Sequence, residues 1–152
     1  MKQLENNNKS PSLLADIGGT HARFALFDRT TKTISQQMTL FTGNFPDLAS
    51  AAKSYLTLVD CKLVQDACIA IANPMNGDTL KMTNSQWEFS IEETRKRLGF
   101  EKLVMLNDWE AVAMAIPAIS QDQLEKIGGG EIVLNAPKGL IGPGTGLGVS
   151  SL

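Results

Sequence analysis

The chain has 152 residues, 43% hydrophobic and 20% charged, the balance of a globular protein able to bury a core. Its 14 Lys and Arg against 16 Asp and Glu leave a net charge of −2, with no sign of a nucleic-acid footprint. No apolar run reaches the roughly 18 residues that span a bilayer, and residues 1–12 are polar, without the apolar stretch of a secretory signal. That segment reads as a disordered tail, and the protein as a cytoplasmic one that binds neither nucleic acid nor membrane. The two cysteines, Cys61 and Cys68, form no C-x-x-C, and the chain holds a single histidine, so neither a zinc site nor a disulfide framework is expected.

In chain order, residues 13–17 form a short apolar run stopped by Gly18-Gly19, and 22–27 form a second. Two such runs with glycines between them predict a β-hairpin. Residues 33–42, rich in β-branched side chains, predict a third strand, and the short connections favour antiparallel pairing. Asn44-Phe45-Pro46 predicts a helix start, after which Leu48, Ala52, Tyr55, Leu56 and Val59 share one face. Residues 67–72 read as a buried strand with Cys68 as a small buried hydrophobe, and 73–78 as a turn.

Ser90-Ile91-Glu92-Glu93 is a capping-box pattern, and Gly99 stands where a helix over 91–98 should stop. Residues 103–106 predict a strand that passes at Asp108 into a helix over 109–116, before Pro117. A second capping-box pattern, Ser120 to Gln123, precedes the glycines at 128–130. Residues 139–152 read as strand, glycine turn, strand. A β meander followed by alternating strands and helices predicts an α/β domain with a mixed sheet.

Three constellations could carry chemistry. Asp16-Ile17-Gly18-Gly19-Thr20 ends a strand, where two glycines permit a tight turn whose amides suit phosphate oxygens. Thr20 adds a hydroxyl there, and Asp16 is a carboxylate able to hold a hydrated divalent cation. A plain hairpin turn is the alternative. Gly142 to Gly148 places glycine at every other position. It matches neither the dinucleotide fingerprint nor the Walker A loop, so it is either a second phosphate loop or a closely packed β-turn. Asn107-Asp108 lies at a strand-to-helix junction, where ligands of such folds commonly sit. A carboxylate there can accept the proton of an attacking hydroxyl, and the amide can hold neighbouring hydroxyls. Asp is also a favoured helix cap, which is the competing reading.

Together these sites resemble the bacterial glucokinase family, within the actin-like and hexokinase-like ATPases. Asp16 to Arg23 looks like its first phosphate loop. Cys68 to Pro74, Gly77-Asp78, and Met82-Thr83-Asn84 with Trp87 and Phe89 look like its middle block. Leu106-Asn107-Asp108 with 111–117 is similar to its sugar and base segment, and Gly142 to Gly148 to its second phosphate region. The resemblance implies a ribonuclease H-like, actin-like ATPase lobe, the ligands ATP, Mg²⁺ and glucose, and transfer of phosphate to the 6-hydroxyl.

It further implies phosphate contacts from Ala15, Asp16, Ile17, Gly18, Gly19 and Thr20, with Asp16 reaching the metal through water. Asn107 and Asp108 would bind the sugar, with Asp108 as catalytic base, and Gly144, Thr145 and Gly146 would act on the phosphate side. His21 stands where the family often has Asn and is assigned no role. The expected organisation is a tail over 1–12, a small α/β lobe over 13–118 and the start of a second lobe over 119–152. On this reading the chain is the amino-terminal part of a longer enzyme, has little activity alone, and is compatible with a homodimer at full length. A kinase for another hexose and a non-catalytic ATP- or sugar-binding domain remain the rival expectations.

Overall fold

A computed structural model describes residues 10–131, 133, 135–143 and 147–152. They fall into two compact units, Met1–Asp108 and Trp109–Leu152. The first holds a five-stranded mixed sheet built from β1 (Ser12–Ile17), β2 (His21–Asp28), β3 (Thr33–Phe41), β4 (Asp66–Ile71) and β7 (Lys102–Asn107), in the order β3-β2-β1-β4-β7. The meander is antiparallel as expected, with β1 pairing β2 and β2 pairing β3. The chain then leaves the sheet and returns, so β4 runs parallel to β1, and β7 parallel to β4. Such returns need a crossover. The first carries helix α1 (Leu48–Leu58). The second carries a small hairpin of β5 (Thr79–Lys81) and β6 (Glu88–Ser90), then helix α2 (Ile91–Leu98).

Alternation along the strands decides what is buried. Leu13, Ala15 and Ile17 of β1, Ala22, Phe24 and Leu26 of β2, and Ala67, Ile69 and Ile71 of β4 share one core with Leu48, Ala52 and Tyr55 of α1. Apolar burial of this kind is the main favourable term in folding, about 25 cal/mol per Å². Tyr55 stacks on Phe24 at 5.1 Å, and its hydroxyl donates to the Gln36 carbonyl at 2.9 Å. That acceptor lies where the β2–β3 register shifts, opposite Phe24 and Leu26, and Gln36 itself has φ of 53°. Burial pushes the Tyr55 phenol up to about 12. Trp87 is fully buried, and its indole N–H donates to the Phe45 carbonyl at 2.8 Å.

Several boundaries differ from the sequence reading. Helix α1 is capped by Asp47, whose Oδ1 accepts the Ser50 N–H at 2.8 Å, so Asn44-Phe45-Pro46 lies outside it. A carboxylate that satisfies an otherwise unpaired amide outweighs the proline signal just before it. The third strand stops at Phe41 because Thr42 opens a 3₁₀ turn, Thr42–Asn44. Cys68 is exposed, not buried, because β4 is covered on one face only, the face of Ala67, Ile69 and Ile71. Helix α2 matches expectation: Ser90 Oγ accepts the Glu93 N–H at 3.0 Å, and Gly99 closes the helix at φ 70°. Asp78 adds a second cap by accepting from the Glu92 N–H at 2.9 Å.

The second unit contains most of helix α3 (Asp108–Ala115), two single 3₁₀ turns, Ile116–Ala118 and Gln121–Gln123, and a hairpin of β8 (Gly139–Pro143) and β9 (Leu147–Ser151). The contacts within this chain divide at 108/109, whereas the lobe boundary expected from the sequence lies at 118/119. The reason is Trp109, whose ring lies against Gly142 and Gly148, a facing pair in the hairpin. The Ser120 pattern forms its box, with Gln123 Oε1 accepting the Ser120 N–H at 3.1 Å, but only one turn follows. Residues 120–131 are all exposed, so no apolar face is buried to extend the helix.

Candidate functional site

The three parallel strands of the first unit end in register. Ile17 of β1 is aligned with Ile71 of β4, and Ile71 with Asn107 of β7. Their carboxyl ends therefore deliver three short segments to one edge of the sheet: Gly18-Gly19-Thr20, Ala72-Asn73-Pro74 and Asn107-Asp108. With strands about 4.8 Å apart, the glycine turn and the Asn107-Asp108 pair are separated by two spacings, roughly 10 Å. A crevice outside the carboxyl ends of parallel strands is the usual ligand position in α/β sheets.

The turn itself is a two-residue hairpin connection. The Gly18 N–H donates to the His21 carbonyl at 2.9 Å, and Gly19 and Thr20 make the bend. Neither Gly18 nor Gly19 has a positive φ, so backbone freedom is not why glycine stands at 19. Close approach is the reason, since a Cβ at Gly19 would lie 2.6 Å from both Cβ and the carbonyl oxygen of Asn84.

The residues expected to contact phosphate differ in what their backbone groups already do. Ala15, Asp16 and Ile17 lie in an interior strand with ladder partners on both sides, and the Gly18 amide is engaged with His21. Among the described residues, no hydrogen bond engages the backbone N–H of Gly19 or Thr20 in this stretch. Thr20 and Gly19 also border a depression of about 440 Å³ with Phe41, Thr42, Gly43, Asn84, Ser85 and Gln86, a lining without charge that is aromatic on the Phe41 side. Asp16 projects from the face opposite the core and is exposed, with Oδ2 accepting from Arg23 Nη1 at 2.9 Å. A single ion-paired carboxylate cannot make a resident metal cage, and no group of three metal-ligating side chains occurs among the described residues. It does suit Mg²⁺, which is held by one or two carboxylates and by the phosphates it accompanies.

Asn107 is the last residue of β7 and Asp108 the first of α3, so strand passes to helix with no linker. Asn107 Nδ2 donates to the Asn73 carbonyl at 3.3 Å, and the Asn73 amide donates to the Ile71 carbonyl at 2.7 Å. Asn73 is buried, its own Nδ2 bonded to the Pro74 carbonyl at 3.1 Å. The middle loop therefore holds the Asn107 amide group in one orientation. Both Asn107 and Asp108 are half-buried.

Gly144, Thr145 and Gly146 lie outside the described residues. The flanking Gly142 and Gly148 have a packing explanation, because a side chain at either position would overlap the Trp109 ring. Sequence reasoning assigned no role to Thr42, Asn73 or Asn84. Their contacts to the turn and to Asn107 join segments 23 to 65 residues apart, judged by positions 42 and 19, and 84 and 19, and no local pattern announces such pairings.

A mixed sheet with a β meander and two parallel returns is the architecture of sugar kinases of the actin-like ATPase fold. The crystal structure of a glucokinase from an Antarctic psychrotroph is similar over 94% of this chain and 46% of its own, with a TM-score of 0.81 and 36% identity. A glucokinase from Balamuthia mandrillaris, solved in complex with glucose, shares the fold at a TM-score of 0.69 and 23% identity. The glucokinase family model matches residues 13–152, and the chain belongs to the glucokinase family. It is 48% identical to the glucokinase of Chromobacterium violaceum over 142 residues, 93% of this chain and 40% of that protein. It is also 50% identical over 143 residues to the bifunctional protein glk of Burkholderia lata, 22% of whose length it covers. The chain thus spans less than half the length of these relatives.

Proposed function

We propose that this chain supplies the amino-terminal part of an enzyme that transfers the γ-phosphoryl group of ATP to the 6-hydroxyl of glucose. The observation that carries the reading is the shared edge: a glycine turn and an Asn-Asp pair stand two strands apart, at the ends of parallel strands in register. Phosphoryl transfer has a loose transition state, so catalysis is mainly alignment and charge stabilisation. Gly19 and Thr20 would donate their amides to phosphate oxygens. Asn107, held by the Asn73 carbonyl, would bind sugar hydroxyls, and Asp108 would accept the proton of the attacking hydroxyl. Mg²⁺ would arrive with the nucleotide, with Asp16 contacting it through water, and Gly144, Thr145 and Gly146 would serve the phosphate side.

A single general base contributes on the order of 10²–10⁴ in rate. Asp108→Asn in the whole enzyme should therefore lower kcat by about a hundredfold or more while glucose still binds. Calorimetric titration with glucose, beside a coupled assay for glucose 6-phosphate, separates the two effects. Near-normal turnover of the variant would remove Asp108 from the role, and a whole enzyme that phosphorylates another hexose in preference would reassign the substrate.

A further inference from the structure

We propose that Thr42 is a positioning residue that aims the amide of Thr20 outward from the glycine turn and so sets the affinity for phosphate, an inference that rests on the phosphate-binding reading of that turn. Thr42 is buried at 2% exposure and holds the turn by two bonds. Its Oγ1 donates to the Gly19 carbonyl at 2.7 Å, and its backbone N–H donates to the Thr20 carbonyl at 3.0 Å. The peptide between Gly19 and Thr20 is trans, as is every described peptide. In a planar trans peptide, the carbonyl of one residue and the N–H of the next point in opposite directions. Drawing the Gly19 carbonyl toward Thr42 therefore turns the Thr20 N–H away from β3.

On its other side the turn is held by Asn84, close enough that no Cβ fits at Gly19. With Thr42 gripping the carbonyls and Asn84 against the Cα, the peptide has one orientation. Without the hydroxyl, the Gly19 carbonyl loses its partner, and a flip of the 19–20 peptide is no longer opposed. A donor that must reorganise before it meets an anion binds more weakly than one already aimed. Nothing local marks Thr42 for this work, since a threonine ending the expected strand over 33–42 reads as an ordinary β-branched strand residue.

The test compares Thr42→Val, which keeps the shape and removes the hydroxyl, with Thr42→Ser, which keeps the hydroxyl. Residue-resolved amide spectra of the ¹⁵N-labelled chain are titrated with MgATP, and separately with inorganic tripolyphosphate. The Gly19 and Thr20 resonances of the unmodified chain should move on titration. Thr42→Val should weaken the apparent affinity about tenfold, the scale of one hydrogen bond to a charged group, whereas Thr42→Ser should stay within about twofold. In the whole enzyme the same split should appear as a raised KM for ATP, with the KM for glucose little changed.

Equal affinity in Thr42→Val and the unmodified chain would overturn the proposal, as would a tenfold loss in Thr42→Ser, which also decides the matter should the valine variant not fold. If neither the unmodified chain nor the whole enzyme responds to either ligand at Gly19 and Thr20, the phosphate-binding reading fails instead. The aiming role is then judged on the ligand-free spectra, where an unmoved Thr20 resonance in Thr42→Val would refute it and a moved one, restored by serine, would support it.

Discussion

Replacing Gly19 by Ala sets two physical effects of opposite sign against each other. Because Gly19 does not occupy a positive φ, alanine can adopt its backbone conformation. The reduced freedom of the unfolded chain should then stabilise the protein by about 0.4–1 kcal/mol. The new methyl group, however, would stand 2.6 Å from the Asn84 Cβ and from the Asn84 carbonyl oxygen, and 3.2 Å from its carbonyl carbon. Two of these three atoms belong to the backbone, so a rotamer change cannot clear them. Opening such a contact is overpacking, which costs roughly 1–3 kcal/mol. The steric effect wins, and Gly19→Ala should lower stability by about 1–2 kcal/mol. Urea denaturation followed by far-ultraviolet dichroism measures this directly. Asn84→Gly removes the Cβ but leaves the carbonyl, so the double variant should recover only part of the loss. A Gly19→Ala chain more stable than the unmodified one would show that the 83–86 turn yields freely, and would refute the close-approach account of this glycine.

A side chain at Gly148 meets the Trp109 ring. Gly148→Ala should therefore destabilise the second unit by roughly 1–3 kcal/mol, and Trp109→Ala should remove that penalty; an equal penalty in both backgrounds would refute the contact. Hydrogen bonds from Arg95 hold the Glu92 carboxyl down at about 2 from an ordinary 4.5, helped by Lys96 and opposed by desolvation. Because the folded value is depressed, the stabilisation is complete above pH 4.5 and is lost as the pH falls from there toward 2. Glu92→Gln should flatten the acid limb of the urea midpoint over that window, and an unchanged limb would show that the pair does not persist in solution.

Much of the first unit was legible locally. The apolar runs 13–17 and 22–27 with glycines between them, the Ser90 cap and the Gly99 stop each express a short-range rule, and each element formed where the rule placed it. The β5–β6 hairpin escaped notice because three-residue strands carry too little pattern to stand out from a loop. The helix start near Pro46 was misplaced because a capping carboxylate and a proline give competing signals one residue apart.

Site candidates were legible as residue types at strand ends, with Asn107, Asp108 and the glycines at 18 and 19 all recognisable before any coordinates. Only the tertiary structure decided that β1, β4 and β7 end in register on one edge, because strand order and register depend on pairing between residues 54 apart for β1 with β4 and 36 apart for β4 with β7. It alone showed that Cys68 faces outward, since which face of a strand is covered depends on where the helices pack. It also separated glycines of identical appearance: Gly99 stands at a left-handed backbone, while Gly19 and Gly148 stand where another segment comes too close for a side chain. Local chemistry is written in neighbouring residues, but the reason a given atom is missing lies in what the fold brings up against it.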